Sequence, residues 1–267
     1  VSKKPKIGLA LGSGAARGIA HLGVLKVLEK YHVPIHSIAG SSMGALVGGL
    51  YAAGLDVDFM INFASQLPSK SWIDLCVPRN GLIRGNKVVT MLTMLTKNRD
   101  FKELDIPFAA VATDIQRGEA VVLKEGNVAS AVRASISIPV VFQPVQYGDR
   151  LLVDGGIVDR VPVSVVREMG ADVVVAVDVN RYVANQPVNN IFDVMFQTLD
   201  IMAREAMNSR ILDTEVLIRP KVGEISPAHF HRVAELVQLG EAAAEAAISK
   251  LGYVLRNKGY QGGIVTN

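Results

Sequence analysis

Ser37-Ile38-Ala39-Gly40-Ser41-Ser42-Met43-Gly44-Ala45 is the stretch on which the reading of this chain turns. An apolar run, Ile35–Ala39, ends within it, and a small-residue helix carrying Gly44, Gly48 and Gly49 begins. Between them, Gly40-x-Ser42-x-Gly44 puts a serine on a sharp strand-to-helix turn, where its hydroxyl projects away from the backbone. Glycines two positions to either side remove the side chains that would collide in so tight a turn. The chemical reading is a nucleophilic serine.

Around that turn, strand-like and helix-period segments alternate, the pattern of an α/β fold with a mainly parallel sheet. Ile7–Leu11 reads as the first strand, and Ile19, Leu22, Leu25 and Leu28 mark one face of the helix after it. Phe108–Asp114, Ala120–Leu123, Leu151–Val153, Asp172–Val179 and Glu215–Ile218 read as further strands. Two helices, about Ile191–Leu212 and His229–Arg256, fill the C-terminal third. The period of residues 192, 195, 199, 202 and 206 points to a core face on the first of them. Residues 66–106 break the rhythm with Pro68, Pro78, Gly81 and Gly85 before an amphipathic helix around Lys87–Thr96. This insertion reads equally as a site cover or a long packed connection. The expectation is one domain over 1–267: a core of about 6–220, the insertion, and a C-terminal helical extension of about 221–267.

The composition bounds the function. With 267 residues, 49% hydrophobic and 20% charged, the chain can bury one substantial core. A net charge of +3, with no aromatic-interleaved basic run, argues against nucleic acid as a partner. The single cysteine, Cys76, excludes an internal disulfide framework and suits a reducing compartment. Lys3, Lys4 and Lys6 precede a short apolar stretch that runs into Gly12-Ser13-Gly14, so it reads as a strand and not a signal-peptide core. A cytoplasmic location is expected, with peripheral contact at the inner face of a membrane left open. The oligomeric state is left open too. No His/Asp/Glu cluster has ligand spacing, so no metal is expected, and no cofactor is implied.

Two further elements bear on chemistry. Gly12-Ser13-Gly14-Ala15-Ala16-Arg17-Gly18 joins a strand to a helix start, where successive N–H groups can converge on one anion. A dinucleotide would require an acidic residue at the end of the second strand, and that strand ends in Gly40-Ser41-Ser42. Leu152-Val153-Asp154-Gly155-Gly156 ends a strand on an aspartate, either a plain Asp-Gly turn or the partner of the serine.

Together these elements resemble the patatin-like phospholipase family, in particular its small bacterial members. Ser13–Gly18 matches the family's oxyanion loop, Gly40–Gly44 its nucleophile motif and Asp154–Gly156 its Asp-Gly-Gly motif. His21-Leu22-Gly23-Val24-Leu25, Ala134-Ser135-Ile136-Ser137-Ile138-Pro139 and Val161-Pro162-Val163 are similar as well, so the likeness spans about residues 6–220. It implies a three-layer α/β sandwich with a mainly parallel central sheet. It also implies a Ser42–Asp154 dyad without histidine, cleaving fatty-acyl esters of lipids through an acyl-enzyme. Gly14, Ala15, Ala16 and Arg17 are the implied oxyanion residues, and Arg17 can alternatively anchor the loop or pair with a lipid phosphate. Ser13 and Ala15 depart from the family's glycines, and Ala15 would be strained at positive φ. Asp159 departs as well, standing where related sequences often carry Asn.

Other readings of the same residues remain. A Ser-Asp-His triad would use Asp178 with His229 or His231. An acyltransferase would pass the same acyl group to an alcohol, and a catalytically quiet member would only bind lipid. Trp72, Leu75, Val77, Met91, Met94 and Leu95 are candidates to line an acyl-chain channel, as are Met195, Phe196, Leu199 and Met202, for which the core face is the favoured reading. Lys70, Arg79, Arg84 and Lys87 could draw its mouth to anionic headgroups, although a solvated face suits them better.

Overall fold

A computed structural model describes residues 4–68, 71–77, 80–180, 188, 191–207 and 213–260. β1 (Ile7–Leu11) passes through a 3-10 turn (Ala15–Ile19) into α1 (Ala20–Lys30), followed by β2 (Ile35–Ser41), α2 (Met43–Ala52) and α3 (Val57–Gln66). Next come β3 (Gly81–Ile83), α4 (Asn86–Leu95), β4 (Phe108–Asp114), β5 (Glu119–Leu123) and α5 (Val128–Ser135). β6 (Val140–Phe142), β7 (Val145–Tyr147), β8 (Arg150–Asp154), α6 (Val163–Glu168) and β9 (Val173–Val177) precede α7 (Ile191–Met207), β10 (Val216–Ile218) and α8 (Val233–Asn257).

The central sheet has the order β10-β9-β1-β2-β4-β8-β7, with β5 also paired to β4. Its first five strands are parallel, whereas β5, β8 and β7 run antiparallel to their neighbours. β1 and β9 are buried throughout, which is why both read as unbroken apolar runs. Alternation sorts them between two faces. Ile7, Leu9, Leu11, Val173, Val175 and Val177 join the larger core, and Ala10, Val174 and Ala176 the smaller. Residues of α1, α2, α5 and α8 fill the first core, and Val163, Val165 and Val166 of α6 pack into the second. The result is three layers.

The C-terminal helix is held close. A Cβ on Gly23 would lie 2.0 Å from the Val237 carbonyl oxygen, and one on Gly240 would lie 2.0 Å from that of Ala20. Bare backbone at both positions lets α1 and α8 cross in contact.

The register around β4 prepares the site. β2 runs parallel to β4 and brings Ser41 opposite Val111. β8 runs antiparallel and brings Asp154 opposite Ala112. Two strand ends therefore arrive from opposite directions at adjacent rungs.

The strands read from the sequence fall within one or two residues of those observed. The local signal did not reveal β3, β6, β7, α3, α5 or α6, which are short or take their stability from packing. The 66–106 segment is tied into the molecule: β3 pairs in parallel with β6, and Arg133 Nη2 donates to the carbonyls of Arg84 and Gln143. The expected core face on α7 is corrected. Met195 and Leu199 are only half-buried and Met202 is exposed, because this side of the helix borders the chamber beside Ser42, which Leu199 and Met202 line. Residues 208–212 of that expected helix lie outside the described residues, as do Lys70 and Arg79.

Candidate active site

Ser42 follows β2 directly, with φ 53° and ψ −121°. Such a backbone is strained for any residue with a side chain, by roughly 1–3 kcal/mol, and persists only where its surroundings hold it. Those surroundings are tight. A Cβ on Gly44 would lie 2.1 Å from the Leu11 carbonyl oxygen, and one on Gly40 2.4 Å from the Gly44 backbone. The Ser42 N–H donates to Ser135 Oγ at 2.9 Å, and that hydroxyl donates to the Val111 carbonyl at 2.5 Å. Ser41 Oγ is anchored on the carbonyl of Asp159.

Asp154 ends β8, with its backbone N–H on the Ser137 carbonyl (2.9 Å) and its own carbonyl accepting from Thr113 Oγ1 (2.8 Å). Its carboxylate accepts the Ser42 hydroxyl at Oδ2 over 2.5 Å and the Gly156 N–H at Oδ1 over 2.8 Å. Gly155 must lack a side chain, since a Cβ would fall 2.0 Å from the Val111 carbonyl oxygen. Burial pushes the Asp154 carboxyl up to about 6. The hydrogen bonds from Ser42 and Gly156 and the positive charge of Arg160 oppose that rise without cancelling it.

The Gly12–Gly18 loop lies beside this pair. The N–H groups of Gly12 and Ser13 are used by the carbonyls of Val177 and Arg160. Two oxyanion candidates are corrected here. The Ala16 N–H donates to Pro227 O at 3.0 Å, and the Arg17 N–H donates to Gly14 O at 3.0 Å, so neither is available to a ligand. The Arg17 side chain is spent as well, with Nε on the Ile225 carbonyl, Nη2 on that of Gly223 and Nη1 on Asp200. It anchors the loop to the C-terminal region. Gly14 and Ala15 are left with no hydrogen-bond partner for their N–H groups among the described residues. Ala15 has φ 47°, the strained conformation anticipated from its replacing a glycine.

His21 is a supporting residue that the sequence did not single out for this place. Its Nε2–H donates to the Gly12 carbonyl at 2.8 Å, and burial pushes its pKa down to about 4, so the ring is neutral. Ser135, Arg160, Asn180 and Asp200 are likewise brought in from distant segments. The Ser135/Ser137 spacing in the family-like stretch was the one available signal.

Two spaces meet at Ser42. An apolar cavity of about 310 Å³ extends from Ala15, Ser42 and Met43 between Phe59, Met60, Trp72, Met91, Leu92, Leu95 and Phe142. Of the proposed channel residues, Trp72, Met91 and Leu95 line it, whereas Leu75, Val77 and Met94 are exposed on the outside. A smaller chamber of about 70 Å³ lies on the other side, where Asp154, Arg160, Asn180 and Asp200 face the apolar side chains of Ile138, Ile157, Phe196, Leu199 and Met202.

The alternative triad is not assembled. Asp178 accepts from Arg219 Nε and the Asn180 N–H, while His229 and His231 are exposed with their rings tilted against each other, and His231, although it borders the apolar cavity, makes no hydrogen bond to Ser42. Among the described residues no group of three or more His, Cys, Asp or Glu side chains is placed to hold a metal ion. No helix among them is long and apolar enough to cross a membrane.

A strained serine at a strand-to-helix elbow, facing an aspartate at the end of an antiparallel strand on a mainly parallel sheet, defines a patatin-like α/β architecture. The chain belongs to the patatin-like phospholipase family, whose model matches residues 9–167. It is 40% identical over 182 residues to an uncharacterized NTE family protein of Mycobacterium tuberculosis, covering 67% of this chain and 50% of that one. It is 26% identical over 276 residues to the lysophospholipase NTE1 of Debaryomyces hansenii, covering 91% of this chain and 18% of that protein. The chain thus spans half or less of the length of these relatives. In fold it resembles VipD from Legionella pneumophila, with a TM-score of 0.62 at 15% identity over 91% of this chain and 66% of the other.

Proposed function

We propose that this chain is a serine acyl hydrolase that cleaves carboxyl esters of fatty acids in lipids through a Ser42–Asp154 dyad. The observation that carries the reading is the 2.5 Å contact of Ser42 Oγ with a buried carboxylate where a large apolar cavity meets a smaller mixed chamber. The acyl chain enters the larger apolar cavity and the alcohol half lies in the smaller chamber. Ser42 Oγ attacks the ester carbon while its proton passes to Asp154 Oδ2. The Gly14 and Ala15 N–H groups receive the oxyanion, for which one donor in an acyl-transfer site is worth about 3–4 kcal/mol. As the tetrahedral adduct collapses, Asp154 returns the proton to the departing alkoxide, leaving the acyl chain on Ser42. Water then repeats the sequence, with Asp154 accepting its proton and releasing it to Ser42 as the fatty acid leaves.

A carboxyl near 6 suits this alternation of base and acid better than an ordinary aspartate, because its two protonation states lie close in free energy at neutral pH. The lysophospholipase activity named for the Debaryomyces relative agrees with an ester of this class. The test is intact-protein mass after treatment with a fluorophosphonate. One adduct on the wild type, absent in Ser42→Ala and Asp154→Asn, is the expected result. No adduct on folded wild type, with and without detergent micelles, would remove the reading.

A further inference from the structure

The N–H groups of Gly14 and Ala15 each share a planar trans peptide with the carbonyl of the preceding residue. Within such a plane the C=O and N–H point in opposite directions, so whatever holds the carbonyl also aims the N–H. The Gly12–Ser13 peptide is clamped at both ends: His21 Nε2 donates to the Gly12 carbonyl at 2.8 Å, and the Ser13 N–H donates to the Arg160 carbonyl at 2.9 Å. The Gly14–Ala15 peptide is closed by the chain itself, with the Arg17 N–H on the Gly14 carbonyl at 3.0 Å. The Ser13–Gly14 peptide between them is held differently. Among the described residues its carbonyl receives the side-chain amide of Asn180 through Nδ2, and its N–H has no hydrogen-bond partner.

That amide is braced in turn. Asn180 lies just beyond β9, and its N–H donates to Asp178 Oδ1 at 3.0 Å. The Asp178 N–H donates to the Ile218 carbonyl at 3.0 Å, and its Oδ2 accepts Arg219 Nε at 3.2 Å. Val179 packs so close that its Cγ2 would lie 2.5 Å from a Cβ on Gly14. The glycine required there leaves the peptide plane free to turn, and the Asn180 amide is what fixes it.

We propose that Asn180 is a positioning residue for ester hydrolysis: by holding the Ser13 carbonyl it aims the Gly14 N–H at the oxyanion. The inference rests on the Ser42 hydrolase reading and its oxyanion donors. Asn180 borders the chamber beside Ser42 but makes no hydrogen bond to Ser42 or Asp154, so it acts through the backbone.

The experiment uses Asn180→Ala, which removes the donor, and Asn180→Asp, which keeps the shape but turns a carboxylate on the Ser13 carbonyl. For both, kcat and KM are measured with a fatty-acyl p-nitrophenyl ester, together with the rate of fluorophosphonate labelling, in which the phosphoryl oxygen takes the place of the oxyanion. One oxyanion donor is worth about 10²–10³-fold in kcat, so a misaimed one should lower kcat and labelling rate about tenfold or more in Asn180→Ala, and further in Asn180→Asp, with KM within about threefold of wild type. The side chain is only half-buried, so the melting temperature should stay close to that of wild type. A purely structural role would lower the melting temperature and change KM along with kcat. That pattern, or an unchanged kcat, overturns the inference. Wild type that neither turns over the ester nor labels removes the hydrolase reading and the inference with it, whereas active wild type with an equally active Asn180→Ala removes the inference alone.

Discussion

Ser41 and Asp154 occupy neighbouring rungs of one strand, opposite Val111 and Ala112 of β4, although 113 positions separate them in the chain. That register sets the 2.5 Å contact between Ser42 and Asp154. One short segment reinforces both partners, since Ser135 Oγ holds the Ser42 N–H and the Ser137 carbonyl holds the Asp154 N–H. The pair is thus positioned by backbone pairing and not by side-chain reach.

Asp154→Asn cannot accept the serine proton. Ester turnover should fall by about 10³-fold or more, with Ser42→Ala at least as damaging, while His229→Ala and His231→Ala stay within a few fold of wild type. Steady-state hydrolysis of a fatty-acyl p-nitrophenyl ester measures all four. A large loss from either histidine would instead point to the triad.

The same aspartate should set the pH profile. Its carboxyl is raised to about 6, and the ionised form is the base, so kcat/KM should rise as pH increases through about 6 and level off above it. A profile still flat down to pH 4 would rule out Asp154 as the base.

Stability should respond with the opposite sign. The folded carboxyl, near 6, holds its proton more tightly than an unfolded aspartate near 3.8. The fold therefore binds the extra proton between those values, and stability falls as pH rises through that window. Above it the buried carboxylate costs about 3 kcal/mol. Asp154→Asn should accordingly raise the melting temperature more at pH 8 than at pH 4, as read by differential scanning calorimetry. An equal shift at both values would contradict the burial argument.

Arg17→Ala should act on the fold rather than on the chemistry. It removes charged hydrogen bonds to the Ile225 and Gly223 carbonyls and one of the two cations on Asp200, where each hydrogen bond to a charged group is worth about 1.5–3 kcal/mol. Urea denaturation should show a clearly lower midpoint with a similar slope. Wild-type stability in this variant would mean that the guanidinium is not the anchor it resembles.

Gly44→Ala tests the elbow. The added methyl would lie 2.1 Å from the Leu11 carbonyl oxygen, where backbone must move to admit it. Loss of soluble, folded protein or of fluorophosphonate labelling is expected, whereas Gly118→Ala, with open space around it but φ 67°, should cost only about 1 kcal/mol.

Much of this was legible along the chain. Gly40–Gly44, Asp154–Gly156 and the Gly12–Gly18 loop announce themselves because close backbone approach and sharp turns demand particular residues at fixed short spacing. The buried parallel strands do so because both of their faces must be apolar. What escaped a linear reading was settled by long-range packing. Ala16, Ala15 and Gly14 look alike as donors until Pro227 is found on the Ala16 N–H. The period along α7 looks like a core stripe until Leu199 and Met202 are found bordering the chamber beside Ser42. Arg160 carries no local signal at all, since its ion-pair partner, Asp200, lies forty residues away. The order of strands and the residue types at each turn are local matters of sterics and hydrophobic burial, and the sequence determines them alone. Which donors stay free, which carboxyl is desolvated and which charges meet are sums over neighbours remote in the chain, so only the tertiary structure decides them.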